Sequence, residues 1–138
     1  MDEVTDGIFV GTEADAGAES RLRTHGIDVV VSLTHSKPET GGVSRVDVPM
    51  TDGPQNSYRA FTEAVRTVLD RRDAGHCVLI HCAAGSSRSP SVAAAVITHL
   101  TDDTLNQAFN QVLDRRPETD PHDALVRQAA RVAGHDRE

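Results

Sequence analysis

The 138 residues predict one α/β domain spanning residues 1–138, with a central, mostly parallel twisted sheet flanked by helices on both sides. Three features of the chain carry that prediction. Short apolar runs rich in β-branched residues, such as Ile27 to Leu33 and Cys77 to Ile80, have the length and composition of buried strands. Segments with helical spacing separate these runs, as parallel strands require. Beyond residue 88 the pattern is helical throughout.

Taken in order, Met1 to Asp6 is polar and reads as loose, and Gly7 to Gly11 reads as a short strand. Ala14 to Thr24 reads as a helix stopped by Gly26. Ile27 to Leu33 is the next strand, Thr34 to Gly42 a loop, and Val43 to Val48 a third strand. Asn56-Ser57 opens a helix with Phe61, Ala64, Val65, Val68 and Leu69 on one face, ending near Asp73-Ala74-Gly75. Asp102-Asp103-Thr104 is an N-cap cluster for a helix carrying Leu105, Ala108, Phe109, Val112 and Leu113. Arg115-Arg116-Pro117 ends it, with both arginines read as a solvated helix end, and a last helix runs from Pro121 to about Gly134.

The chemistry gathers in Val78 to Ser89, VLIHCAAGSSRS. The apolar run delivers Cys82 to a strand end. From Ala83 through Ala84, Gly85, Ser86 and Ser87 every side chain is small, so the backbone can curl around an anion and aim successive N–H groups inward. Ser89 is placed as N-cap and Pro90 as the first residue of a helix whose positive end faces the loop. A thiol at such a centre is expected to ionise below its ordinary pKa of about 8.5, into a range of roughly 3.5 to 7.5. A helix terminus contributes only ~0.3 to 1 kcal/mol, so the loop amides and Arg88 are needed as well.

Cys82 and Arg88, with His81 before the cysteine, Gly85 in the loop and Ser89 after the arginine, resemble the signature of the cysteine-dependent protein tyrosine phosphatases, and most of all the small dual-specificity phosphatases. Ile8-Phe9-Val10-Gly11, His25-Gly26-Ile27 with Val29-Val30-Val31, and Arg115-Arg116-Pro117 extend the likeness over most of the chain. The resemblance implies hydrolysis of phosphomonoesters on protein tyrosine and serine or threonine through a cysteinyl-phosphate on Cys82. Arg88 would clamp two phosphate oxygens, with residues 83–88 forming the phosphate-binding loop. Ser89 would assist the departing sulfur, and His81 would brace the loop. The resemblance also implies an upstream acid. Asp52, in the turn Thr51-Asp52-Gly53-Pro54, falls at the matching place, while Asp47 in the preceding strand is its competitor. His122 stands beside Pro121 where relatives commonly carry Asn, which puts the loop-bracing role of that Asn in doubt.

Other readings fit less of the chain. His76, Cys77, His81 and Cys82 are metal-ligand types, but on a strand they divide between two faces, so neither a metal nor a cofactor is expected. A structural cysteine leaves the glycine and arginine around it unexplained. Two rival functions remain: a catalytically silent phosphate-binding module, and a rhodanese-like sulfurtransferase. Neither Walker nor G-x-G-x-x-G patterns occur.

The formal charge of −7 disfavours nucleic acid or an anionic membrane as a partner. The expected partners are a phosphorylated protein or another phosphomonoester, with phosphate, sulfate or vanadate as active-site anions. Lys37 is the only lysine, and Asp outnumbers Glu by 14 to 7. That bias resembles salt-adapted microbial proteins, which implies activity sustained in brine. Cys77 and Cys82 lie about 16 Å apart along a strand, beyond disulfide reach. The N-terminus carries no pattern of a signal peptide, and a reducing cytoplasm suits the thiol.

Overall fold

The computed structural model describes residues 1–135. Five strands form one sheet: β1 (Asp2–Thr5), β2 (Ile8–Gly11), β3 (Val29–Ser32), β4 (Ser44–Asp47) and β5 (Val78–His81), in the order β1-β2-β5-β3-β4. β1 is antiparallel to β2, and all other pairs are parallel. Among the described residues there are also six helices: α1 (Glu13–Ala16), α2 (Glu19–Thr24), α3 (Tyr58–Asp73), α4 (Arg88–Leu100), α5 (Leu105–Arg115) and α6 (Asp123–His135).

Alternation along the central strands creates two cores, one on each face. Ile8, Val10, Val29, Val31, Val78 and Ile80 pack with Phe61, Ala64, Val65 and Val68 of α3, Val92 and Val96 of α4, and Leu125 of α6. Phe9, Val30 and Leu79 face the other way, onto Ala16, Leu22, Ile27 and Val43. β5, buried on both faces, therefore sits at the centre and projects its carboxyl end between β2 and β3.

Three sequence readings need correction here. Met1 to Asp6 is not loose, because residues 2–5 form the edge strand β1. Its single apolar residue, Val4, is fully buried, and Gln111 Nε2 of α5 donates to the Val4 carbonyl at 2.7 Å. One apolar residue gives too little alternation to be read as a strand. The stretch 14–24 is not one helix. α1 closes at Gly17, and its Thr12–Asp15 capping box is a complete one-turn unit separate from α2. The third correction concerns the start of α4, which begins at Arg88 with Ser87 as its N-cap residue, not at Pro90 with Ser89 as cap. Pro90 still lies in the first turn, where its missing N–H costs no helical hydrogen bond.

Candidate active site

The site forms beyond the carboxyl end of β5, where open α/β sheets bind ligands. Cys82 follows the strand directly, and its side chain is buried. Its sulfur meets the first turn of α4 twice: it lies 3.1 Å from the Ser89 hydroxyl, where either group can donate, and accepts the Ser89 amide at 3.4 Å. The misread cap thus has a physical reason. Ser89 is turned toward the sulfur, and no side chain caps α4, because the Ser87 hydroxyl is committed elsewhere. The amide end of α4, with its partial positive charge, faces the sulfur atom.

His81 lies in register with Gly11 and Ser32 on the neighbouring strands. Its Nε2 is 2.8 Å from the Ser32 hydroxyl, and its Nδ1 is 3.3 Å from the Cys82 carbonyl. A carbonyl only accepts, so Nδ1 carries the proton, and the neutral ring accepts from Ser32 at Nε2. Burial holds this imidazole below the usual histidine range, against the opposing pull of the Cys82 carbonyl. With both ring nitrogens occupied, His81 fixes the strand end. Cys77 lies at the opposite end of β5, and both cysteines are free thiols. Burial, then the Asp28 carboxylate, push the Cys77 thiol above its ordinary range.

Arg88 Nη1 donates to the Met50 carbonyl at 3.0 Å and lies 3.5 Å from that of Leu33. Those carbonyls follow β4 and β3, so the guanidinium stands at the same end of the sheet as Cys82. Asp52 is brought to the loop: its Oδ1 accepts from the Ser87 hydroxyl at 2.6 Å. The turn carrying it is tied down, with the Thr51 amide on Asn56 Oδ1 at 2.8 Å and Asn56 Nδ2 on Gln128 Oε1 at 2.8 Å. Asp47 stays on β4, paired with Arg45 at 3.0 Å. The structure therefore brings Asp52, not Asp47, to the loop. The same Ser87 hydroxyl accepts the His122 amide at 2.9 Å. His122 spends its Nδ1 on the Ala124 amide at the start of α6, so the backbone at this position makes the bond to the loop.

Arg116 overturns its sequence reading. Whereas Arg115 is exposed, Arg116 is only 3% exposed and reaches under the loop. Its Nε donates to the Gly85 carbonyl at 2.6 Å, Nη2 lies 3.4 Å from the Ala84 carbonyl, and Nη1 pairs with Asp2 at 2.7 Å. Gly85, at φ +67°, has to be glycine twice over. The conformation disfavours a side chain, and a Cβ would lie 2.5 Å from Arg116 Nη2 and 2.7 Å from the Gly11 carbonyl oxygen. Beside the loop, Asp52, Ser86, Ser87, Asp120, Pro121, His122 and Asp123 line an open hollow of about 410 Å³.

A sulfur at a helix N-terminus, a glycine-pivoted loop beyond a parallel strand, and an arginine at the seventh position of the Cys82–Arg88 span make up the arrangement expected of a phosphatase-type thiol site. Residues 8–132 match the dual specificity phosphatase catalytic domain, and the chain belongs to the dual-specificity phosphatase family of cysteine-dependent protein phosphatases. It is similar to the dual specificity protein phosphatase Mpk3 of Drosophila melanogaster, with 31% identity over 126 residues covering 88% of this chain and 31% of that protein. Human dual specificity protein phosphatase 22 is 29% identical over 138 residues, covering 99% of this chain and 75% of its own length. The chain thus spans about a third of the first relative and three quarters of the second. The crystal structure of human dual-specificity phosphatase 28 superposes with a TM-score of 0.91 at 24% identity, covering 99% and 98% of the two chains. A mouse putative dual specificity phosphatase superposes at 0.88 with 25% identity, covering 97% of this chain and 86% of its own.

Proposed function

We propose that this chain hydrolyses phosphomonoesters on proteins, accepting phosphotyrosine as well as phosphoserine and phosphothreonine, by way of a cysteinyl-phosphate on Cys82. The observation that carries this reading is the placement of the Cys82 sulfur at the start of α4, 3.1 Å from the Ser89 hydroxyl and 3.4 Å from the Ser89 amide that donates to it. The amide and the helix N-terminus would stabilise the negative charge that the sulfur carries when it acts as nucleophile and as leaving group.

In the first step the Cys82 thiolate forms an S–P bond as the ester P–O bond breaks, and the leaving oxygen takes the proton of the Asp52 carboxylic acid. Arg88 presents its planar fork to two equatorial oxygens, a match that improves as the phosphoryl group flattens. In the second step water attacks phosphorus and gives its proton to Asp52. The S–P electron pair returns to sulfur, inorganic phosphate leaves, and the Ser89 hydroxyl donates to the sulfur as its charge develops. Ala83 to Ser87 supply amides to the remaining oxygens.

The mouse relative was crystallised in complex with zinc tungstate, whose tungstate is a tetrahedral oxyanion, and this supports an oxyanion as a ligand of the present chain. Its partners here would be phosphorylated proteins. Among the described residues no helix is long and apolar enough to cross a membrane. A reducing cytoplasmic setting would keep the thiol active.

The test is steady-state hydrolysis of p-nitrophenyl phosphate and of phosphotyrosine, phosphoserine and phosphothreonine peptides. Turnover that disappears in Cys82→Ser while vanadate still binds supports the reading. Phosphopeptide binding without turnover would make the chain a silent phosphate-binding module, and sulfur transfer from thiosulfate to cyanide would make it a sulfurtransferase.

A further inference from the structure

The loop around Cys82 can bind an anion only if its backbone amides face inward, and nothing in a run of small residues enforces that. The carbonyls show what does. The Ala83 oxygen accepts the Glu13 amide at 3.1 Å, and the Ser86 oxygen accepts the Asp120 amide at 2.7 Å. Between them, the Ala84 and Gly85 oxygens are both taken by the guanidinium of Arg116, at 3.4 and 2.6 Å. In a trans peptide the C=O and the following N–H point in opposite directions. Holding these four carbonyls from outside therefore turns the amides of Ala84, Gly85, Ser86 and Ser87 toward the other side, where the sulfur lies.

We propose that Arg116 is a positioning residue for the reaction: its guanidinium sets the two central peptide planes of the phosphate loop, and Asp2 of β1 holds the guanidinium in place. A planar fork suits this task because Nε and Nη2 address two successive carbonyls while Nη1 remains for the carboxylate. A lysine ammonium carries all its donors on one nitrogen and lacks the rigid spread needed to fix both carbonyls and the carboxylate together. The pair is also asymmetric in burial. The Arg116 side chain is 4% exposed and that of Asp2 38% exposed, so the loop is linked to the sheet edge through a carboxylate that solvent reaches. The inference rests on the phosphate-binding reading of the loop and adds the group that orients it.

The experiment follows alkylation of Cys82 by iodoacetate against pH, in the full chain, with and without inorganic phosphate. Peptide mass mapping separates Cys82 from Cys77. In the parent protein inorganic phosphate slows the alkylation of Cys82. In Arg116→Lys the alkylation midpoint rises and phosphate protection weakens by about tenfold or more, as expected when bonds from one or two amides to an anion are lost. Asp2→Asn, altered at a partly exposed site, shifts both readouts the same way by a smaller factor, and decides the matter if Arg116→Lys does not fold by thermal melting. Folded variants with the parent's midpoint and phosphate protection would overturn the proposal and leave Arg116 a purely structural residue. Absence of phosphate protection in the parent itself would instead overturn the phosphatase reading, and the positioning role with it.

Discussion

Replacing Ser89 with alanine removes the hydroxyl proposed to donate to the departing Cys82 sulfur, and the structure allows its cost to be worked out. The hydroxyl lies 3.1 Å from the sulfur, whereas the second donor, the residue's own amide at 3.4 Å, survives the substitution. Ser89 is fully buried and its side chain does not cap α4, so the helix keeps its start and only an oxygen-sized void appears. A hydrogen bond to a charged group contributes about 1.5 to 3 kcal/mol. With ~1.4 kcal/mol per decade of rate, hydrolysis of the cysteinyl-phosphate, in which sulfur leaves as an anion, should slow by roughly 10- to 150-fold. Attack on the substrate suffers less, because a less stabilised thiolate is also a stronger nucleophile. The assay is rapid mixing with p-nitrophenyl phosphate. Ser89→Ala should release a burst of nitrophenolate equal to the enzyme present, followed by a slow steady state with a lowered KM. Unchanged turnover without a burst would refute the role given to this hydroxyl.

Further expectations follow from the same geometry. Asp52→Asn removes the proposed proton donor, a contribution of about 10² to 10⁴-fold. The loss should be large for phosphoserine peptides and small for aryl phosphates with acidic leaving groups, and equal losses on both would reassign the acid. Gly85→Ala forces a side chain to positive φ against Arg116 and the Gly11 carbonyl, so urea unfolding should show a destabilisation of about 2 to 5 kcal/mol from the conformation and the overpacking together. His81, held neutral by burial, binds a proton more readily in the unfolded chain. Its contribution to stability is therefore fully present above about pH 6.5 and is lost as pH falls toward its lowered folded value. The urea midpoint should drop across that window, and drop less in His81→Gln. A saturating anion should raise the melting temperature, since phosphate at a hundred times its dissociation constant adds about 2.7 kcal/mol.

What the sequence made legible follows from how local each signal is. β2, β3 and β5 stood out because parallel strands buried on both faces are continuous apolar runs, and the capping signals of Ser57 and Thr104 lie within three residues of the amides they serve. Cys82, Gly85, Arg88 and Ser89 were likewise readable, since the loop and the helix that follow one strand hold them all. Contacts joining distant segments left no such mark. Arg116 is the residue that closes the C-terminal end of α5, where a basic side chain is ordinarily explained by the dipole, and nothing in Arg115-Arg116-Pro117 tells which arginine points inward. Only the packing of α5 against β1 brings Arg116 between Asp2 and Gly85, 114 and 31 residues away. The same holds for Ser87, whose hydroxyl joins Asp52 to His122 across two loops. The choice between Asp52 and Asp47 lay between these extremes. A strand position and a turn position were distinguishable by pattern, but only the bond from Ser87 ties Asp52 to the loop.

The central claim is that phosphorus passes through the sulfur of Cys82. Acid quenching of Ser89→Ala during turnover of p-nitrophenyl phosphate, followed by peptide mapping, tests it directly. The account predicts one phosphoryl group per chain, bound to Cys82 and absent from Cys82→Ser. Phosphate found on another residue, or hydrolysis that continues in Cys82→Ser, would contradict it.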